Sequence, residues 1–386
     1  MCSSGRAPCG PPWTACGHSS TRRLYGASSI LGSTMWATGS RSRQCRLSSR
    51  GAQAFRPSSA SWGQASGVTW GPRPWQSSSS KKQSEQDGQR GRSGECRQHG
   101  SEKEPSVSIH IVTDSTSYLP GGYADQHGID VVPLRVTIDG VLYREFVDIA
   151  SDQFYVRQKS GAKAVTSQPG PEDFVGLYKR LLQNPEDEVL SIHISSLMSG
   201  TLNSAHAAAA MIESQQVVLY DSRMSGLGLG FMVMEAAHLA ETGAAVSDIV
   251  AALDAMQARI HIYFLVGTLE YLVAGARIGK AAGVAGSILQ IKPILTIKDG
   301  MIDVYDRPRT MRVAREHLWV LIDDAVGHGV EYVGFHYAGN RAEVEALQQE
   351  FERRTGIPSI LSQLGPVVGG NTGPETLGVV IVEKAV

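Results

Sequence analysis

Beyond residue 106 short apolar runs alternate with longer stretches of helical spacing, and that alternation restricts the fold more than any other feature of the chain. Residues 108–113 read as a strand closing on Asp114-Ser115-Thr116. The run 131–138 contains Pro133 and reads as an edge or bent strand, because proline has no N–H for a ladder. Asp139-Gly140 then makes a hairpin turn. Residues 171–183 put Phe174, Leu177, Tyr178 and Leu181 on one helical face. Further strands are expected at 189–194, 217–220, 262–266, 291–297, 302–305, 332–336 and 377–382, with a second hairpin turn at Asp299-Gly300. Further helices are expected at 201–212, 226–239, 246–255, 313–326 and 341–354. This order predicts an α/β fold whose first sheet is mostly parallel and flanked by helices. Two α/β domains are expected, 106–260 and 261–386, with a ligand tunnel between them.

The first 105 residues are of another kind. They carry 15 Lys and Arg against 5 Asp and Glu, about +10, so the remainder carries about −11 and the net charge of −1 hides the contrast. All five cysteines and five of the six tryptophans lie in this stretch, among Ser, Gly, Arg and Pro without helical or strand period. Such a mixture buries too little apolar surface to offset ordering entropy, so 1–105 is expected to be a disordered or spuriously translated extension. A Ser- and Arg-rich, acid-poor leader also fits an organelle transit peptide. The odd cysteine count and its spacings match no metal or redox motif. After residue 106 there is no cysteine, so thiol chemistry and disulfides play no part there. With no run of about 20 apolar residues, no transmembrane segment is expected and the protein is read as cytoplasmic.

Two runs look built to hold an anion. Thr166-Ser-Gln-Pro169 and Ser195-Ser-Leu-Met-Ser-Gly-Thr201 each lie where an extended stretch hands over to a helix, and hydroxyls and free N–H groups at such junctions bind negative charge. Gly200 would let a ligand approach the backbone closely. Asp114-Ser115, Ser195-Ser196 and Asp221-Ser222 end successive strands, at the edge where open α/β sheets bind ligands. The same residue types also serve as plain helix caps. Arg277 and Arg309 could neutralise a carboxylate or phosphate, or simply be solvated. The stretch 365–374 reads as a Gly/Pro-rich loop that adds a third wall. No Walker loop, no Gly-x-Ser-x-Gly elbow and no His-Glu-x-x-His occurs, and the histidines show no metal-ligand spacing. Anion-holding turns without a general base beside them point to binding rather than catalysis, with no catalytic and no metal-ligating residue.

Taken together these runs resemble the DegV family, the fatty-acid-binding subunits that serve bacterial fatty acid kinase. The resemblance is carried, in order, by Ile111-Val-Thr-Asp-Ser-Thr116, Val132-Pro-Leu134, Thr166-Ser-Gln-Pro169 and the Ser195–Thr201 run. It continues through Asp221-Ser222 with Ser225 and Gly228, Tyr271-Leu-x-x-Gly-x-Arg-Ile278, Gly286-x-x-Leu-x-Ile-Lys-Pro-Ile-Leu295 and Thr372-Gly-Pro374. It covers residue 107 to the C-terminus and implies that Thr166, Ser199 and Gly200 bind the carboxylate of a long-chain fatty acid. Arg277, Arg309, Asn371, Ser115 and Ser196 become candidates for the head group or a kinase contact. The implied role is a lipid carrier, not an enzyme, needing no cofactor. It would present the acid to a separate kinase subunit for acyl phosphate formation, with no nucleic acid as partner. The alternative is a small-molecule kinase or phosphotransferase of the dihydroxyacetone type, whose fold is similar but whose nucleotide-binding element is missing here. Asn371 stands where family members commonly carry a histidine, and Ala276 stands for a glycine beside Arg277. Asparagine donates a hydrogen bond but gains no proton. The departure therefore bears on hand-over to the kinase rather than on carboxylate binding.

Overall fold

The computed structural model describes residues 108–285 and 291–385, so the expectation for residues 1–105 lies outside the described residues. The strands are β1 (Ile109–Asp114), β2 (Asp130–Val132), β3 (Arg135–Ile138), β4 (Val141–Arg144), β5 (Ala164–Ser167) and β6 (Glu188–His193). They continue as β7 (Val217–Asp221), β8 (Ile260–Leu265), β9 (Ile294–Lys298), β10 (Met301–Asp306), β11 (Val330–Tyr337), β12 (Ile360–Gln363) and β13 (Leu377–Glu383). Helices of seven residues or more are α1 (Ser151–Lys159), α2 (Pro171–Leu181), α3 (Thr201–Met211) and α4 (Leu227–Glu241). Then come α5 (Val246–Gln257), α6 (Met311–His328), α7 (Arg341–Thr355) and α8 (Pro366–Thr372).

The first sheet has the order β2-β1-β6-β7 and is parallel throughout, as the strand–helix alternation requires. The second, β10-β9-β8-β13-β11-β12, is antiparallel except for β11 with β12. Pro133 does more than bend a strand. It separates β2 of the parallel sheet from β3 of a third, antiparallel sheet, β4-β3-β5. Both expected hairpin turns have two successive left-handed residues, Asp139 and Gly140 (φ 49° and 85°) and Asp299 and Gly300 (φ 52° and 77°). This is the turn whose twist matches two paired strands.

Helix α2 starts where proline fills the first position and the Asp173 carboxylate accepts from the Gly170 N–H at 2.8 Å. It buries Phe174, Tyr178 and Leu181, one apolar stripe, against the parallel sheet. The first half of helix α4 is apolar on all sides because it lies between the two larger sheets, with Leu227, Leu229, Phe231, Met232 and Val233 buried in one core. Gly230 is required there: a Cβ would stand 2.4 Å from the Ser117 carbonyl oxygen. The tip of the β9–β10 hairpin is tied to the other end of this core by Ser195, whose hydroxyl donates to the Gly300 carbonyl at 2.7 Å.

Candidate functional site

The cavity lies where the three sheets meet. Thr166 is the third residue of β5 and faces it opposite Val136 of β3. Ser199 closes the turn between β6 and α3, and Asn371 comes from α8. Arg277 follows the short helix Glu270–Ala274. The remaining wall is largely aliphatic and aromatic, with Ile262 and Phe264 from β8, Ile297 and Ile302 from the β9–β10 hairpin, and Val367 and Val368 from α8. The space it spans is about 870 Å³ with its open, solvent-filled mouth included. Among the described residues the lining holds one cation, Arg277, and no carboxylate.

The polar groups are oriented, not merely gathered. The Asn371 side-chain nitrogen donates to the Val367 carbonyl at 2.8 Å and to Thr166 Oγ1 at 3.3 Å. A carbonyl can only accept, so the amide cannot be turned the other way round. Thr166 Oγ1 is thereby an acceptor toward Asn371 and keeps its own proton to give. Ser199 Oγ pairs with Thr201 Oγ1 at 2.8 Å, and its own backbone N–H is spent on the Ser195 carbonyl. The half-buried Arg277 guanidinium donates to the carbonyls of Gly275 (2.6 Å) and Met198 (3.3 Å), so its charge is pinned beside the turn that carries Ser199. Gly275 makes room for the Asn371 amide, since a Cβ there would meet Asn371 Oδ1 at 1.9 Å.

Two further ionisable residues flank the cavity, and neither was singled out from the sequence. His336 lines it, yet its Nε2 accepts from the Leu227 N–H at 2.8 Å, which leaves Nδ1 to carry the proton toward the Ser362 carbonyl. Burial pushes its pKa down to about 4, so the ring is neutral. Glu145 lies behind α8, which begins at Gly365 and Pro366 with no side chain of its own to cap it. The Glu145 carboxylate takes that place, accepting from the Val367 N–H at 2.8 Å and from Ser115 Oγ at 2.5 Å. A Cβ on Gly365 would fall 2.3 Å from Glu145 Oε1. Burial drives the Glu145 pKa up to about 7.

Several expectations need correction. The stretch 365–374 is not a loop but carries α8; its Gly-Pro entry is a helix-start signal that the central Gly369-Gly370 pair obscures. Ser115 is buried against Glu145 and the Leu134 N–H and does not reach the cavity. Ser196 is held by the Asp221 carboxylate at 2.5 Å, a bond between neighbouring strand ends. Arg309 is exposed just before Thr310, the cap of α6, and is not among the cavity's lining residues, so of its two expected roles only the kinase contact stays open as a proposal. Gly200 does not line the cavity either; a Cβ on it would stand 2.8 Å from Gln168 Nε2, so its absence leaves space for that amide.

The strand ends of the parallel sheet do lie together but satisfy one another. Asp114 accepts from His193, which is hydrogen-bonded to Ser191, which in turn pairs with the Tyr178 hydroxyl. The row has the composition of a nucleophile, base and acid, yet all of these side chains are fully buried, so nothing can reach Ser191. It is a structural network. Among the described residues no cluster of metal-ligating side chains occurs, and no helix is long and apolar enough to cross a membrane.

A family model described as an uncharacterised protein of the DegV family matches residues 108–384. A DegV domain-containing protein of Listeria monocytogenes is 36% identical over 275 residues, 70% of this chain and 96% of that protein. Among solved structures, a fatty-acid-binding DegV family protein from Thermus thermophilus is 36% identical with a TM-score of 0.66, covering 72% of this chain and all of the other. DegV of Bacillus subtilis, described as a fatty acid binding protein, is 33% identical with a TM-score of 0.67 over the same shares.

Proposed function

Because the chain belongs to the DegV family, we propose that it is a carrier for a long-chain fatty acid whose carboxylate is held by the hydroxyls of Thr166 and Ser199. The single observation that carries this reading is the cavity, with oriented neutral donors and one arginine on its polar side, no carboxylate among its described lining residues, and aliphatic walls beyond. The solved relatives described as fatty-acid-binding support it. The tail supplies most of the affinity, about 0.8 kcal/mol for each methylene taken out of water. The head group then needs partners, each hydrogen bond to its charge being worth roughly 1.5–3 kcal/mol.

The bound acid is presented to a separate kinase, which transfers a phosphoryl group from ATP to a carboxylate oxygen and forms an acyl phosphate. The chain itself performs no chemistry and acts in the cytoplasm. Small neutral donors suit such a hand-over, because they leave one side of the carboxylate open to the partner. Asn371 cannot take up a proton, and His336 is locked in its neutral form. Charge compensation during transfer therefore falls to Arg277 and to the kinase.

Native mass spectrometry of the purified protein is expected to find one long-chain acid bound. Thr166→Ala and Ser199→Ala should each weaken binding of added palmitate by about ten- to a hundredfold, the loss of one hydrogen bond to charge. Wild-type affinity in both variants would place the carboxylate elsewhere, and a wild-type protein indifferent to palmitate would end the proposal.

A further inference from the structure

Gln168 occupies an unusual position. Its side chain is exposed at the cavity mouth, on the same stretch as Thr166 and across from Ser199. Among the described residues it makes no side-chain hydrogen bond, although neighbouring polar groups at the site are engaged by one another. It also lies in the space that a side chain on residue 200 would fill, with its Nε2 2.8 Å and its Cδ 3.0 Å from where a Cβ would be.

Backbone conformation does not explain the glycine at position 200. Its φ of −77° and ψ of 9° are open to any residue, and as the N-cap of α3 it supplies no side-chain cap, which Ser, Asp or Asn would do better. What glycine provides is room for the Gln168 amide beside Ser199. An amide without a hydrogen-bond partner among the described residues, lining the same cavity as Ser199 and Thr166, has one evident use there, as an additional donor.

Resting on the fatty-acid reading of this cavity, we propose that Gln168 donates a third hydrogen bond to the carboxylate, and that Gly200 is present to let it do so. The amide is neutral and its side chain is solvent-exposed, so it closes over the head group without fixing it irreversibly. It can swing clear by rotation about its own bonds when the oxygen must be reached. Its neutrality also matters, since a lysine there would hold the carboxylate as a salt bridge and release it less readily.

The test is palmitate affinity by titration calorimetry for wild type, Gln168→Ala, Gln168→Glu, Gly200→Ala and the double variant Gln168→Ala/Gly200→Ala, with Thr166→Ala as reference. Gln168→Ala should weaken binding about tenfold, the lower end for a hydrogen bond to charge at an exposed site. Gly200→Ala should weaken it similarly, because the new methyl displaces the flexible end of Gln168, and the double variant should be no weaker than either single one. Gln168→Glu keeps the shape but puts a negative charge against the ligand, so it should bind more weakly than Gln168→Ala. A Gln168 that does not reach the carboxylate would leave the alanine and glutamate variants both near wild type, and that result overturns the proposal. So does a double variant whose loss is the product of the two single losses. If Thr166→Ala weakens binding while the Gln168 variants do not, only this inference fails. If the wild type does not bind palmitate, the carrier reading itself is lost. Should Gly200→Ala not fold, the alanine and glutamate variants of Gln168 decide the matter alone.

Discussion

Asp114→Asn is expected to destabilise the protein by about 3–5 kcal/mol, the usual consequence of removing one member of a buried charged network. The Asp114 carboxylate is sealed from solvent and accepts four hydrogen bonds. Oδ1 takes the backbone N–H of Thr116 at 3.0 Å and its hydroxyl at 2.6 Å. Oδ2 takes the Ile194 N–H at 2.9 Å and His193 Nδ1 at 3.1 Å. Asparagine has the right shape, but whichever way its amide turns, the NH2 group then faces a backbone N–H, that of Thr116 or that of Ile194. That buried N–H loses its acceptor with no water to replace it. The same change unlinks the end of β1 from the end of β6, adjacent parallel strands whose tips set the Ser195–Thr201 turn. Urea unfolding should show a lower midpoint with an unchanged slope. An unfolding free energy within about 0.5 kcal/mol of wild type would mean that the carboxylate is not the acceptor on which these strand ends depend.

That network also explains what the sequence made legible and what it did not. The apolar runs and their polar ends announced the parallel sheet, because a strand buried on both faces must be apolar and its exit must turn. Thr166, Ser199, Arg277 and Asn371, far apart in the chain, line one cavity. Asp114-Ser115 and Asp221-Ser222 are of the same residue types, yet the aspartates are spent on neighbouring strand ends, Ser115 on Glu145 and Ser222 on its own turn, rather than on a ligand. Composition cannot separate the two uses, since hydroxyls and carboxylates that bind a ligand and those that bind each other look alike until register fixes which face they share. Helix α8 escaped for a different reason: Gly369 is demanded by Tyr155, whose hydroxyl would sit 2.0 Å from a Cβ, so a tertiary contact placed a helix breaker inside a helix. Glu145 gave no local signal at all. A single acid between Arg144 and Phe146 reads as surface, and only the fold turns it inward to cap α8 from 222 residues away.

Glu145 should also give the protein an unusual dependence of stability on pH, and Glu145→Gln should reveal it. The buried carboxyl titrates near about 7 instead of near 4.5. Between those values the folded state keeps a proton that the unfolded chain has released, so this group's contribution is fully present below about 4.5 and is lost as pH rises through about 7. At about 1.4 kcal/mol for each tenfold in proton affinity, the loss amounts to about 3 kcal/mol. His336 acts in the opposite sense. Its pKa is lowered to about 4 from 6.5, so its contribution is present above the unfolded value and is lost as pH falls through about 4. In the wild type the two slopes oppose each other between about pH 4.5 and 6.5, and Glu145 acts alone up to about 7. Glutamine keeps an oxygen for the Val367 N–H but cannot ionise, so the variant loses only the first slope. Its stability should climb from about pH 5 to 6.5 and then level off, while its advantage over wild type should grow by about 3 kcal/mol between about pH 5 and 8. Parallel stability curves for the two proteins would show that Glu145 stays ionised in the fold, its charge balanced by the Ser115 hydroxyl and the N-terminal amides of α8.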